Sequence, residues 1–280
     1  MAPRPAGPLD VVDVLRAERA LFVELLRSLK AVDWRRPTEC PAWDVQGVAA
    51  HLLGDDLSLL SRQRDGAPQG LLRFLDATPS FRAALDGFND HWVETIGFLG
   101  PRLLVDLLEA TGPWTADWYA AVDPLSLGEP VGFFGATGPS PYWQIAAREY
   151  GERWIHHHQI LRAVERPAIG DTSLLSLTLA LAARGITAHL RDLGAHAGDT
   201  VVLAVDGLAA WTLLRQDDGW HLLDGAEAQP TSVVRVEAGV AGTALFRGMS
   251  AAEVESVLTV EGNPELGRRV ARGIAALSGR

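Results

Sequence analysis

REYGERWIHHHQI, residues 148–160, is the stretch on which the fold turns. It lies in a strongly periodic run from Pro141 to about Glu165, with Pro141 suited to a first helical turn and Pro167 just past the end. A helix there puts Glu152 and His156, four positions apart, on one face with Cβ atoms about 6 Å apart. A carboxylate and an imidazole so placed can share one metal ion. Glu149, seven before His156, has roughly the same face and is either a further ligand or a partner of one. His157 and His158 are rotated from His156 by about 100° and 200°, so the three consecutive histidines cannot converge on one ion. A Glu–His pair at this spacing is also common on helix surfaces, so the metal reading needs a donor from elsewhere.

His51 supplies it. A helix starting near Asp44, a good N-cap, repeats Val45, Val48, Leu52, Leu59 and Leu60 on one side. His51 follows Val45 and Val48 by six and three positions, on or near the buried face. A lone inward histidine is ordinarily a satisfied core residue. Paired with an inward Glu-x-x-x-His on another helix, it is the arrangement that places metal in a bundle core. Three protein ligands with open positions is the catalytic pattern; structural zinc has four.

Working outward, residues 1–8 read as a loose tail, Leu9–Ala31 as a first helix and Phe81–Leu99 as a third. Pro101 and Pro113 punctuate the next segment, and residues 123–141 form a long Gly/Pro-rich loop, a place for a lid or substrate wall flanked by Trp114, Trp118, Phe133 and Phe134. After Gly170 come a helix at Leu174–Leu193 and short β-like runs at Thr200–Val205, Trp211–Arg215, Trp220–Leu223 and Ser232–Glu237. Their Asp-Gly steps favour hairpins. Helical pieces at Val240–Phe246 and Ala251–Glu255, a strand at Val257–Val260 and a helix from Pro264 close the chain. The expected class is α+β: a four-helix bundle over 1–168, then a smaller α+β domain over 169–280.

Composition narrows the function. Hydrophobic residues are 48% and charged residues 21% of 280, which is globular usage. The net charge of −10 argues against nucleic acid. The single cysteine, Cys40, cannot make an internal disulfide, which suits a reducing cytoplasm. Apolar runs such as Leu174–Ala183 are too short for a bilayer, which needs about 20 residues.

TECPAWDVQGVAAHLL, residues 38–53, resembles the first signature of the DinB-like, mycothiol-dependent maleylpyruvate isomerase family, through Thr38, Cys40, Pro41, Trp43 and His51. Glu152, His156 and His157 match its second signature. Residues 233–270, with their late Gly-Asn-Pro-Glu-Leu, resemble a sterol-carrier-like domain that closes many members. The resemblance implies a divalent metal, usually zinc, on His51, Glu152 and His156. It also implies mycothiol, the small thiol of actinobacteria, adding as thiolate to a small electrophile in an isomerase or an S-transferase. An arginine of the C-terminal domain would meet substrate, with Arg247 and Arg235 as candidates. Gln159 departs from the family, which often has an acid there. A monomer or homodimer without nucleic-acid or membrane partners is expected.

Other residues read more plainly. Cys40 is taken as packing the Trp43 turn, the alternative being a nucleophile. Asp55 and Asp56 are taken as solvated, with Asp55 able to stand behind a ligand. Trp92, Trp114, Trp118, Trp143 and Trp154 are taken as packing, and His91, His189, His196 and His221 as surface or satisfied. Two other functions remain open: a metal-dependent hydrolase or lyase without thiol, and a non-catalytic binder of hydrophobic ligands.

Overall fold

In chain order the computed structural model has β1 (Arg4–Pro5), α1 (Val12–Arg27), α2 (Val45–Leu59), α3 (Leu72–Leu75), α4 (Phe81–Ile96), α5 (Pro101–Ala121), α6 (Tyr142–Ala163) and α7 (Thr172–His189). Then follow β2 (Thr200–Val205), β3 (Ala209–Gln216), β4 (Gly219–Asp224), β5 (Ser232–Val236), α8 (Ala238–Leu245), α9 (Ala251–Val257), β6 (Thr259–Gly262) and α10 (Pro264–Ser278). The structure describes residues 2–76, 80–135, 138–190, 193–246 and 249–278. No described helix is long and apolar enough to cross a membrane.

The chain forms two compact units, and the division is not a single cut near residue 168. One unit holds Val12–Asp123 with Glu152–Ile169; the other holds Met1–Val11, Pro124–Gly151 and Gly170–Arg280. Helix α6 is continuous, and its first ten residues belong to the second of these.

In the helical unit α1 packs on α5, and α2 on α5 and α4. The core joins Phe22 and Leu26 of α1, Val45, Val48 and Leu52 of α2, Leu104 and Leu108 of α5, and Ile160 of α6. Asp44 caps α2 by accepting the Gly47 N–H, as the sequence suggested. The prolines of the next segment do not break it: Pro101 sits in the first turn of α5 and Pro113 inside it. Tertiary packing outweighs the hydrogen bond that Pro113 removes.

Gly112 of α5 lets the Arg19 stem lie across the helix, since a Cβ there would come 2.5 Å from Arg19 Cγ. Gly112→Ala gains about 1 kcal/mol of helix propensity but meets an overpacking cost of about 1–3 kcal/mol. The guanidinium of Arg19 is anchored, so the clash is not relieved at its far end. A net loss of up to about 2 kcal/mol is expected in urea unfolding; a gain would show that Arg19 can move aside.

The other unit is built on a sheet ordered β1-β4-β3-β2-β5-β6. β2–β3 and β3–β4 are hairpins, but β5 pairs in parallel with β2. The Asp224-Gly225 step therefore opens a crossover, not the hairpin its sequence favours. One face of the sheet is covered by α7 and α10, with Leu203, Leu213, Val234 and Val236 buried. The expected loose tail is also corrected: Arg4 and Pro5 pair with Asp224 and Leu223, and Arg184 donates to the Gly7 carbonyl. The free edge of β4 offers the tail the partners that an exposed edge always presents.

Candidate metal centre

Two stretches of chain meet in the helical unit. Before α2, Thr38 Oγ1 donates to the Trp43 carbonyl at 2.7 Å and accepts the Cys40 N–H at 3.1 Å, which ties the 38–43 turn together. Trp43 donates through Nε1 to Asp90 and stacks on His51, ring centroids 4.8 Å apart. His51 is buried on the inward side of α2, beside the fully buried Val48 and Leu52. From α6, Glu152 Oε2 lies 3.6 Å from His156 Nε2. The His51 and His156 rings meet edge to face, centroids 4.7 Å apart.

His51, Glu152 and His156 each offer a donor atom, all within 4.8 Å of one another. Bonds of about 2.1 Å around a tetrahedral ion hold donors about 3.4 Å apart. The Glu152–His156 pair already approaches that, and the set needs only to close slightly. Two imidazole nitrogens and one carboxylate oxygen suit zinc and its first-row neighbours. The donors present therefore fit a divalent cation. Burial alone would lower the His156 pKa, but hydrogen bonding to Cys40 and Glu152 outweighs it and raises it to about 10. The cluster stores a proton there, which any bound cation would have to displace.

The other histidines of the triplet are engaged elsewhere, as their rotation requires. His157 Nδ1 is 2.9 Å from Glu18 Oε1, and His158 Nδ1 is 2.9 Å from the Trp154 carbonyl. Glu149 stands outside the three-donor cluster and accepts from Arg148. Cys40 turns its thiol to Gln159 Oε1, 3.3 Å away.

Beside the three clustered donors lies a buried ionic network that the sequence did not reveal. Asp56, read as solvated, is only 1% exposed. Its carboxylate accepts from Arg19 Nη1 and Nη2 at 2.7 and 3.0 Å, from Arg153 Nη2 at 2.7 Å and from Thr111 at 2.6 Å. Burial would raise the Asp56 pKa, but the two guanidiniums overcome it and hold the carboxyl below its usual range. Glu18 is likewise lowered against burial by His157. Asp56, Arg153 and His157 each adjoin a cluster or near-cluster residue in sequence, so the network grips the same two helices that carry the donors. The only hint was charge falling on the apolar stripe of a helix, as with Glu18 and Arg19 on α1.

The remaining candidates separate. Arg235 lies on β5 in the other unit and donates to Asp206 at 2.9 Å and Glu261 at 3.4 Å. Arg247 falls outside the described residues. Trp154 is buried, but Trp114 is 51% exposed, contrary to a packing role. In the 123–141 loop, Phe133 packs where a Gly185 side chain would stand and meets Phe246 at 5.9 Å. His221 Nε2 is 2.8 Å from Asp218 Oδ1.

Comparison with known proteins follows the same lines. The chain is similar to the crystal structure of the mycothiol-dependent maleylpyruvate isomerase, TM-score 0.53 at 14% identity, over 89% of this chain and 91% of that chain. It is equally similar to a histidine-to-alanine mutant of that enzyme, TM-score 0.52 at 14% identity, over the same shares. At this identity the likeness is one of fold. No curated protein sequence matches significantly. A family model described as the mycothiol maleylpyruvate isomerase N-terminal domain matches residues 15–161, more than half the chain and all three clustered donors. The chain therefore belongs to the mycothiol maleylpyruvate isomerase family.

Proposed function

We propose that this protein is a divalent-metal-dependent enzyme that uses a small thiol, mycothiol, on a small electrophilic substrate, as an isomerase or an S-transferase. One observation carries the proposal: two imidazoles and a carboxylate converge within 4.8 Å in a mostly buried position. Family membership and the solved relatives named for mycothiol support the thiol.

His51, Glu152 and His156 would hold the cation, leaving positions for an outside ligand. A zinc-like ion there lowers the pKa of a bound thiol, so that thiolate is available near neutral pH. The chain's own residues do the rest. Trp43 stacks on His51 and fixes its ring. Burial of His51 and His156 limits the water around their rings. Glu152, 21% exposed in its side chain, keeps the cluster in reach of solvent and incoming ligands. In an isomerase, thiolate addition to a cis double bond leaves a single bond that rotates before elimination returns the thiol. In a transferase the thiol stays on the product.

The full chain, stripped with chelator and reloaded, is expected to take up one zinc per chain by elemental analysis. Only the loaded form is then expected to bind mycothiol in calorimetry, with proton release. Metal uptake without thiol binding, together with ester or amide hydrolysis in thiol-free buffer, would instead establish a metal hydrolase.

A further inference from the structure

Gln159 follows His156 by three positions on α6 and is buried. Its Oε1 is 2.8 Å from His156 Nδ1 and 3.3 Å from Cys40 Sγ. An amide oxygen only accepts, whereas a thiol offers its S–H. The Cys40 thiol thus favours the oxygen end of the amide facing the cluster. His156 Nδ1 must then carry a hydrogen, and Nε2, on the side of Glu152, is the nitrogen left for a cation.

The two imidazoles are backed differently. His51 Nε2 has a carboxylate oxygen, Asp55 Oδ2, 3.3 Å away. His156 Nδ1 instead faces a neutral amide oxygen, which the Cys40 thiol shares. A carboxylate behind a ligating histidine raises its basicity and strengthens its bond to metal; a neutral acceptor fixes the ring without that push.

We propose that Gln159 is a positioning residue: it holds His156 in the Nδ1–H tautomer, presents Nε2 to the cation, and keeps that imidazole a weaker donor than a carboxylate-backed one. The inference rests on the metal reading of His51, Glu152 and His156. It adds that cation affinity is set partly by a side chain that never touches the ion. A less strongly donating histidine leaves the cation more electron-poor, which favours thiol ionisation at the cost of metal retention.

The test uses the full chain with Zn2+ alone, its Kd measured by competition with a chromophoric chelator at fixed pH. Gln159→Glu is expected to tighten zinc about tenfold, and Gln159→Leu to weaken it about 10–100-fold. Long-range 1H–15N spectra of the zinc-loaded wild type are expected to show the His156 hydrogen on Nδ1, and exchange of that hydrogen to quicken in Gln159→Leu. Thermal unfolding in excess chelator controls for folding. If Gln159→Leu does not fold, the Gln159→Glu affinity and the wild-type tautomer still decide. Wild-type binding with both variants within threefold of it, or a hydrogen on Nε2, overturns the positioning role alone. Failure of wild type to bind zinc overturns the metal reading and this inference with it.

Discussion

Alanine at His156 is expected to leave a folded chain that no longer retains its cation. The cluster would keep one imidazole and one carboxylate, too few protein donors for a catalytic site, which ordinarily has three. Loss of a partner behind a ligand already costs about 10–100-fold in affinity, so loss of the ligand itself should exceed 100-fold. Metal content should fall from one per chain to trace, and thiol-dependent turnover should fall with it. His51→Ala should behave alike. His158→Ala is the control, since its Nδ1 faces the Trp154 carbonyl and not the cluster. Full metal content and turnover in both His51→Ala and His156→Ala would remove the cluster from consideration.

Asp56→Ala is expected to be the most destabilising single change in the helical unit. It would strand Arg19 and Arg153, which are 4% and 3% exposed, without the carboxylate that both address. Removing one partner of a buried ionic set costs about 3–5 kcal/mol, against a total stability of about 5–15 kcal/mol. Asp56→Asn, which keeps size and one acceptor oxygen, should lose less. The sign of the pH dependence follows from the lowered Asp56 and Glu18 pKa values. A carboxyl whose folded pKa lies below its unfolded one contributes stability that is complete above the unfolded value, near 4, and lost as pH falls through the folded value. The wild-type urea midpoint should therefore drop as pH is lowered from about 5, and less steeply in Asp56→Asn. An Asp56→Ala midpoint within about 1 kcal/mol of wild type would mean that the two arginines find other partners.

Much of this molecule follows from local pattern. The 3.6-residue repeat placed α2, α4, α6 and α7 to within a few residues, and Asp44 and Pro264 mark helix starts because capping and proline geometry act over one turn. Glu152 and His156 were legible together because residues four apart on a helix are neighbours whatever surrounds them. His51 was legible as inward from its spacing to Val45 and Val48. Where long-range partners compete, that legibility ends. Pro113 looked like a break, yet packing of α5 on α1 and α2 carries the helix through it. The N-terminal residues looked loose, since nothing in RP announces a strand until the edge of β4 is beside it.

The sequence by itself determined which side chains could ligate a cation, which helices carry them and that three consecutive histidines cannot act together. All of these rest on periodicity within one helix. Only the tertiary structure decided that His51 lies against His156, that Asp56 is buried between two arginines and that Cys40 reaches Gln159 behind His156. Those pairs are separated by tens of residues or more, and their contact depends on how helices are laid together, for which no short-range rule exists.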